Sequence, residues 1–147
     1  MALELCNRNW VEEERLEQTL DWYESHGVTF VCVDSPPGDN FQILPPLDAV
    51  TRRDVAYMRM HGRDTEGYIK GKSVAERFGW VYSDDELREL AERANGLAES
   101  AAEVHVAFNN NRSSDAPDAA RRFREIIGQD PGPATNLPAK GQQMELA

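Results

Sequence analysis

Apolar residues in this chain gather in four short runs. The runs are Leu3 to Cys6, Val28 to Asp34, Val55 to His61 and Val104 to Asn109, and the last three are rich in β-branched or large apolar side chains. Such runs predict strands. Between the first two, Leu16, Leu20 and Tyr23 recur at helical spacing within Trp10 to His26. Asn9 is placed to cap that helix with Glu12 three residues on, and Gly27 to end it. A second helix is the clearest in the chain. Ser83 and Glu86 form a capping-box pair, and Leu87, Leu90, Ala91, Ala94, Leu97 and Ala98 then line one face. A third helix follows the last strand, with Asp115 as its cap, Ala116, Ala120, Phe123 and Ile127 on one side, and Gly128 as its stop.

Strands alternating with helices predict an α/β fold with parallel pairing and right-handed crossovers, in an open sheet or in a segment of a barrel. Two connections depart from this rhythm. Ser35 to Asp54 carries Pro36, Pro37, Pro45 and Pro46, and Gly62 to Tyr82 carries four glycines together with Tyr68, Phe78, Trp80 and Tyr82. Connections of this length usually serve function. Gly67 to Ser73 resembles a phosphate-binding P-loop, but its two glycines stand one residue too close together and Gly79 interrupts the helix that should follow. A mobile basic lid beside a cleft is the better reading of that stretch.

Composition narrows the function classes. The chain has 147 residues, room for one domain, and its 26 acidic against 16 basic residues give a net charge of −10. That charge opposes binding to nucleic acid and to anionic membrane. Only Lys70, Lys72 and Lys140 are lysines, and an acidic, lysine-poor surface suits a high-salt cytoplasm. Cys6 and Cys32 lie in apolar stretches without Cys-x-x-Cys spacing, so neither a disulfide framework nor a zinc site is expected. No long apolar span or basic-then-apolar leader is present, which makes the cytoplasm the simplest address. No sequence motif names a cofactor.

Strand alternation places Glu4 with Cys6, Cys32 with Asp34, Arg59 with His61 and Ala107 with Asn109, with the polar members toward the C-terminal strand ends. In parallel α/β sheets that edge carries the ligand site. Glu4, Asp34, Arg59, His61 and Asn109 are therefore expected in one cleft. A carboxylate and an imidazole exchange protons near neutral pH, an arginine holds an anion, and an asparagine orients a hydroxyl or carbonyl. The structural alternative is a buried Glu4–Arg59 pair, with Asp34 capping the turn that follows it. A metal site from Glu4, Asp34 and His61 lacks a second well-placed histidine, so no metal is assigned. His105 starts its strand at the opposite end, and His26 sits at a helix terminus, where a charged form would suit the helix dipole.

Four pieces stand in a recognisable order: Leu3 to Trp10 (LELCNRNW), Phe30 to Asp34 followed by Pro36, Tyr57 to Arg63 (YMRMHGR), and Val106 to Asn111 (VAFNNN). Together they resemble the YecE-like family, domain of unknown function 72. The matching family pieces are a Glu-x-Arg strand leading to Asn-Trp or Ser-Trp, an Asp-x-Pro strand end, an Arg-x-His-Gly strand and a closing Asn-Asn. The resemblance implies a TIM-type (β/α)8 barrel, of which residues 1–127 would be the C-terminal half, strands five to eight, with residues 128–147 a disordered or extended tail. A whole barrel takes roughly 250 residues. With Met1 opening almost directly on the first strand, the resemblance implies a truncated or split barrel. It adds Asn7, Trp10, Arg63 and Asn110 to the ligand-binding candidates beside Arg59 and Asn109, and keeps Glu4, Asp34 and His61 as catalytic candidates. Cys6 departs from the pattern, standing where the family has arginine.

A half-barrel leaves strand edges and an apolar face open, so the expected partner is a second copy or a separately encoded N-terminal half-barrel. Three functions remain open at this point. One is an enzyme or enzyme half with Glu4 or His61 moving protons, Asp34 beside it and Arg59 clamping an anion. Another is a small-molecule binding module built on the same residues, and the third is a non-functional remnant.

Overall fold

The computed structural model describes residues 1–12, 14–110 and 112–132. Four parallel strands form one sheet, β1 (Ala2–Leu3), β2 (Thr29–Asp34), β3 (Val55–Met60) and β4 (Glu103–Phe108), and their spatial order is β1-β2-β3-β4. Because spatial order equals chain order, every crossover steps in the same direction across the sheet. Among the described residues five α-helices accompany the strands: α1 (Glu14–Ser25), α2 (Thr65–Lys70), α3 (Val74–Arg77), α4 (Asp84–Ala98) and α5 (Asp115–Ile126). The predicted α/β class and all four strands are present, although β1 is shorter than the apolar run suggested.

The register decides what each face of the sheet carries. Cys32 lies beside Met58 and Asp34 beside Met60, while Val33 lies beside Arg59, and Arg59 in turn beside Ala107. Phe30, Cys32, Asp34, Ala56, Met58, Met60, Val104, Val106 and Phe108 therefore share one face, and the helices cover it. Tyr23 of α1 meets Phe30 edge-on at 5.3 Å, and Phe123 of α5 meets Phe108 at 5.7 Å. Leu87, Leu90, Ala91, Ala94 and Leu97 of α4 are buried in the same core. Glu4, Val31, Val33, Tyr57, Arg59, His61 and Asn109 belong to the other face. All six residues of β2 are buried, as an interior parallel strand requires.

Helix ends follow their local chemistry, with two corrections. Ser83 and Glu86 form the full capping box, and Gly27, at φ +61°, ends α1. Asn9 does not cap α1, because Asn7 caps a 3-10 turn over Arg8–Trp10 and α1 starts only at Glu14. Asp115 is already helical, and Ser114 at the cap position makes no side-chain capping bond.

The proline-rich segment between β2 and β3 forms no helix, since its prolines lack the N–H donors a helix needs. It packs instead as an extended strap. Ile43 and Leu44 are buried, Ser35 donates to the Leu44 carbonyl at 2.7 Å, and Thr51 accepts from Phe30 N at 2.9 Å and donates to the Val28 carbonyl at 2.8 Å. Ala49 N donates to the Cys32 sulfur at 3.4 Å, and burial pushes that thiol up to about 11. Gly67 to Ser73, the stretch expected as a lid, spans the end of α2 and the turn into α3, and the two helices pack together. Gly67 allows their close approach, because a side chain there would collide with the Glu76 carbonyl.

The expected tail begins at Gly128. Residues 128–132 fold back on α5, where Arg121 donates to the Gly132 carbonyl at 2.8 Å. Residues 133–147 of that expected tail, and Asn111 of the closing asparagine run, lie outside the described residues.

Candidate functional site

Glu4 follows β1, Arg59 lies in β3, His61 follows β3 and Asn109 follows β4. Parallel pairing brings the four to the same sheet end. Arg59 Nη1 donates to Glu4 Oε2 at 3.0 Å, and Arg59 Nη2 donates to Asn109 Oδ1 at 3.1 Å. His61 Nε2 lies 2.9 Å from Glu4 Oε1, and His61 Nδ1 lies 3.1 Å from Asn109 Nδ2. The bonds close into a ring.

Donor and acceptor roles in this ring follow from one constraint: arginine can only donate. Asn109 must therefore turn its carbonyl oxygen to Arg59 and its amide nitrogen to His61. Nδ1 of His61 then accepts, and the ring proton resides on Nε2, where it is donated to Glu4. Burial pushes the Glu4 carboxyl up, but the hydrogen bonds from His61 and Arg59 and the charge of the Arg59 guanidinium outweigh it and leave the group below its ordinary value. Glu4 is thus a well-held carboxylate and a weak base.

The ring opens on a cavity of about 470 Å³, also lined by Cys6, Gln42, Tyr68, Val74, Arg77 and Phe78. Its aromatic wall comes from α2 and the end of α3. The Phe78 ring lies 5.3 Å from His61 and 5.6 Å from Tyr68. The volume is in the lower part of the range of small-molecule sites. The apolar wall and converging polar groups suit such a site.

Of the residues singled out in the sequence, Glu4, Arg59, His61 and Asn109 are brought together, and the others are not. Asp34 points to the helix-covered face, where its carboxylate accepts from Arg63 Nη2 at 2.8 Å and from the Tyr82 hydroxyl at 2.8 Å, with Arg93 Nη1 3.5 Å away. Arg63 belongs to that second network and also donates to Glu89 at 3.0 Å. Asn7 caps the 3-10 turn. Trp10 stands over half exposed on the outer side of β1. Asn110 is fully buried and donates to the Trp80 carbonyl at 2.8 Å. His105 is exposed beside Glu103. Gln42, Tyr68, Arg77 and Phe78 were not singled out as site residues; the cluster of aromatics in a glycine-rich connection was the available signal.

Among the described residues no set of three His, Cys, Asp or Glu side chains converges as metal ligands, and no helix is long and apolar enough to cross a membrane. Fold and site together define a parallel α/β unit with a polar, aromatic-walled cleft at the C-terminal strand ends.

The model of a family described as "Protein of unknown function DUF72" matches residues 1–143, and the chain belongs to that family. UPF0759 protein YunF of Bacillus subtilis is 31% identical over 131 residues, which is 86% of this chain and 46% of that protein. The structure of a DUF72 family protein from Enterococcus faecalis superposes with a TM-score of 0.80 at 27% identity, over 88% of this chain and 47% of that one. One from Thermotoga maritima superposes with a TM-score of 0.76 at 30% identity, over 87% and 46%. The chain thus spans about half the length of these relatives.

Proposed function

We propose that this chain is the ligand-holding half of a DUF72 α/β barrel, and that Glu4, Arg59, His61 and Asn109 bind a small polar molecule in the cleft. The observation that carries the reading is the closed hydrogen-bond ring facing the cavity at the end of the sheet where parallel folds place their ligands. A ring of satisfied groups is pre-organised, so little ordering is left for a ligand to impose. With Glu4 held as a weak base, the resting geometry favours accepting hydrogen bonds from a ligand over abstracting protons. Turnover is the second reading, favoured by a carboxylate and an imidazole, Glu4 and His61, standing 2.9 Å apart beside the cavity.

The test is a screen of small polar metabolites by NMR on labelled protein. Saturable shifts confined to the cleft, weakened in Asn109→Leu, are expected; shifts scattered over the surface would overturn the reading. For turnover, His61→Gln should abolish conversion of a bound compound while weakening its binding at most modestly.

A partner reading rests on a separate surface. Leu3, Leu5, Trp10, Trp22 and Tyr23 line an apolar groove of about 470 Å³ along the outer side of β1. Leu3, Trp10 and Trp22 are exposed there at 39%, 55% and 44%. The relatives are about twice as long, and the proposed occupant is a strand and helix from the complementary half of the fold, laid parallel beside β1. Co-expression with that half should give a 1:1 complex that Trp22→Glu disrupts. A cooperative monomer indifferent to the added half would sink the proposal.

A further inference from the structure

We infer that the ligand of this cleft carries an oxyanion, a carboxylate or a phosphate, and that Arg77 is the group that grips it. The inference rests on the small-molecule reading of the site and adds the ligand's class. Arg77 lines the same cavity as the ring, with its guanidinium carbon 5.7 Å from the centre of the Tyr68 ring and 5.6 Å from that of Phe78. Its Nε donates to the Tyr68 carbonyl at 3.2 Å. Among the described residues its two terminal nitrogens have no hydrogen-bond partner and no carboxylate within ion-pair distance. Two neighbouring aromatic rings and one backbone bond thus restrain a guanidinium whose terminal nitrogens are left free to donate.

The charge balance of the wall points the same way. Arg59 is answered by Glu4, whereas Arg77 has no counter-ion, so the lining carries a net positive charge inside a chain of net charge −10. A cavity in which positive charge is retained against that background attracts an anion. A planar guanidinium suits the paired oxygens of a carboxylate or phosphate better than a lone hydroxyl. The hydroxyl or carbonyl part of such a ligand would then face Glu4, His61 and Gln42.

The experiment titrates the labelled 147-residue chain at pH 7 with inorganic phosphate, with glycolate and with glycerol, chloride holding the ionic strength constant. Phosphate or glycolate should shift the cleft signals saturably, and the two arms tell a phosphate site from a carboxylate site. Arg77→Met should weaken the better anion by about tenfold or more, the expectation for a hydrogen bond to a charged group. Arg77→Lys should weaken it less, and Lys70→Met, outside the cavity, should leave it unchanged. Anion binding unaltered in Arg77→Met overturns the inference. Glycerol shifting the cleft while neither anion does overturns it too and leaves the small-molecule reading standing. No probe reaching the cleft counts against both. Should Arg77→Met fail to fold, wild-type anion affinity must still fall between about 0.05 and about 0.5 M chloride, and a flat salt response overturns the inference.

Discussion

Replacing Asp34 by asparagine separates a structural carboxylate from a member of the cleft. Asp34 is 4% exposed, and Arg63 and Arg93 beside it have side chains only 20% and 13% exposed. Removing one partner of a buried ion pair costs about 3–5 kcal/mol, because the remaining charge stays buried. Here the loss is reduced, since Arg63 keeps Glu89 at 3.0 Å and Arg93 keeps Asp48 at 2.7 Å. The amide can still accept from Tyr82 or from Arg63, but its NH2 group must then face guanidinium donors. These opposing effects leave an expected destabilisation of about 2–4 kcal/mol.

Urea unfolding followed by the fluorescence of the three tryptophans measures it. With a slope of about 2 kcal/mol per molar, the middle of the usual range in urea, the midpoint should fall by about 1–2 M while the slope is unchanged. Ligand shifts in the cleft should persist in the folded variant. A loss below about 1 kcal/mol, or selective loss of cleft binding at full stability, would refute the assignment of Asp34 to the helix-covered face.

Three further outcomes follow from the structure. Gly62 has φ +92°, and a Cβ there would lie 2.5 Å from Trp80 Cβ, so Gly62→Ala should cost about 3–5 kcal/mol in the same assay. The Glu4 carboxyl lies below its ordinary 4.5, so its contribution to stability is present above that value and is lost as pH falls through the lower folded-state value. The stability difference between wild type and Glu4→Gln should therefore shrink as pH falls below about 4.5, as urea unfolding across pH would record. Ser83→Ala removes the capping box of α4 and should cost about 1 kcal/mol, with amide exchange quickening in its first turn.

Much of the architecture was legible because local chemistry determines it. Phe30 to Val33 is an unbroken apolar run followed by a carboxylate, and Ser83 with Glu86 marks a helix start in sequence alone. The grouping of Asp34 with Glu4 and His61 failed for a specific reason. Alternation tells which residues of one strand share a face, but only register tells which face that is in the next strand. Val33, not Asp34, lies beside Arg59, so Asp34 and the ring stand on opposite sides of the sheet. The α2–α3 pair was equally hidden. Gly67 reads as a loop signal, whereas its role depends on the carbonyl of Glu76, nine residues away, approaching it. Arg77 was missed with it, since its place in the cleft depends on how that pair packs.

The two polar networks, though on opposite faces, are joined through three consecutive residues. His61 points to the cleft and Arg63 to the helix side, and Gly62 between them takes a conformation that other residues rarely adopt. Gly62 N donates to the Tyr82 hydroxyl at 2.9 Å, that hydroxyl donates to Asp34, and His61 N donates to the Asp34 carbonyl at 2.8 Å. The backbone carrying the imidazole is thus tied on both sides of His61 to the strand end and the helix layer. A hydrogen-bond ring like that of Glu4 and His61 needs its members held within a fraction of an ångström. The buried ion network on the covered face provides that restraint without touching the cavity. The tie survives in Asp34→Asn, because the backbone carbonyl that holds His61 is unchanged and the amide oxygen can still accept from Tyr82, so cleft binding persists there while the lost charge lowers stability.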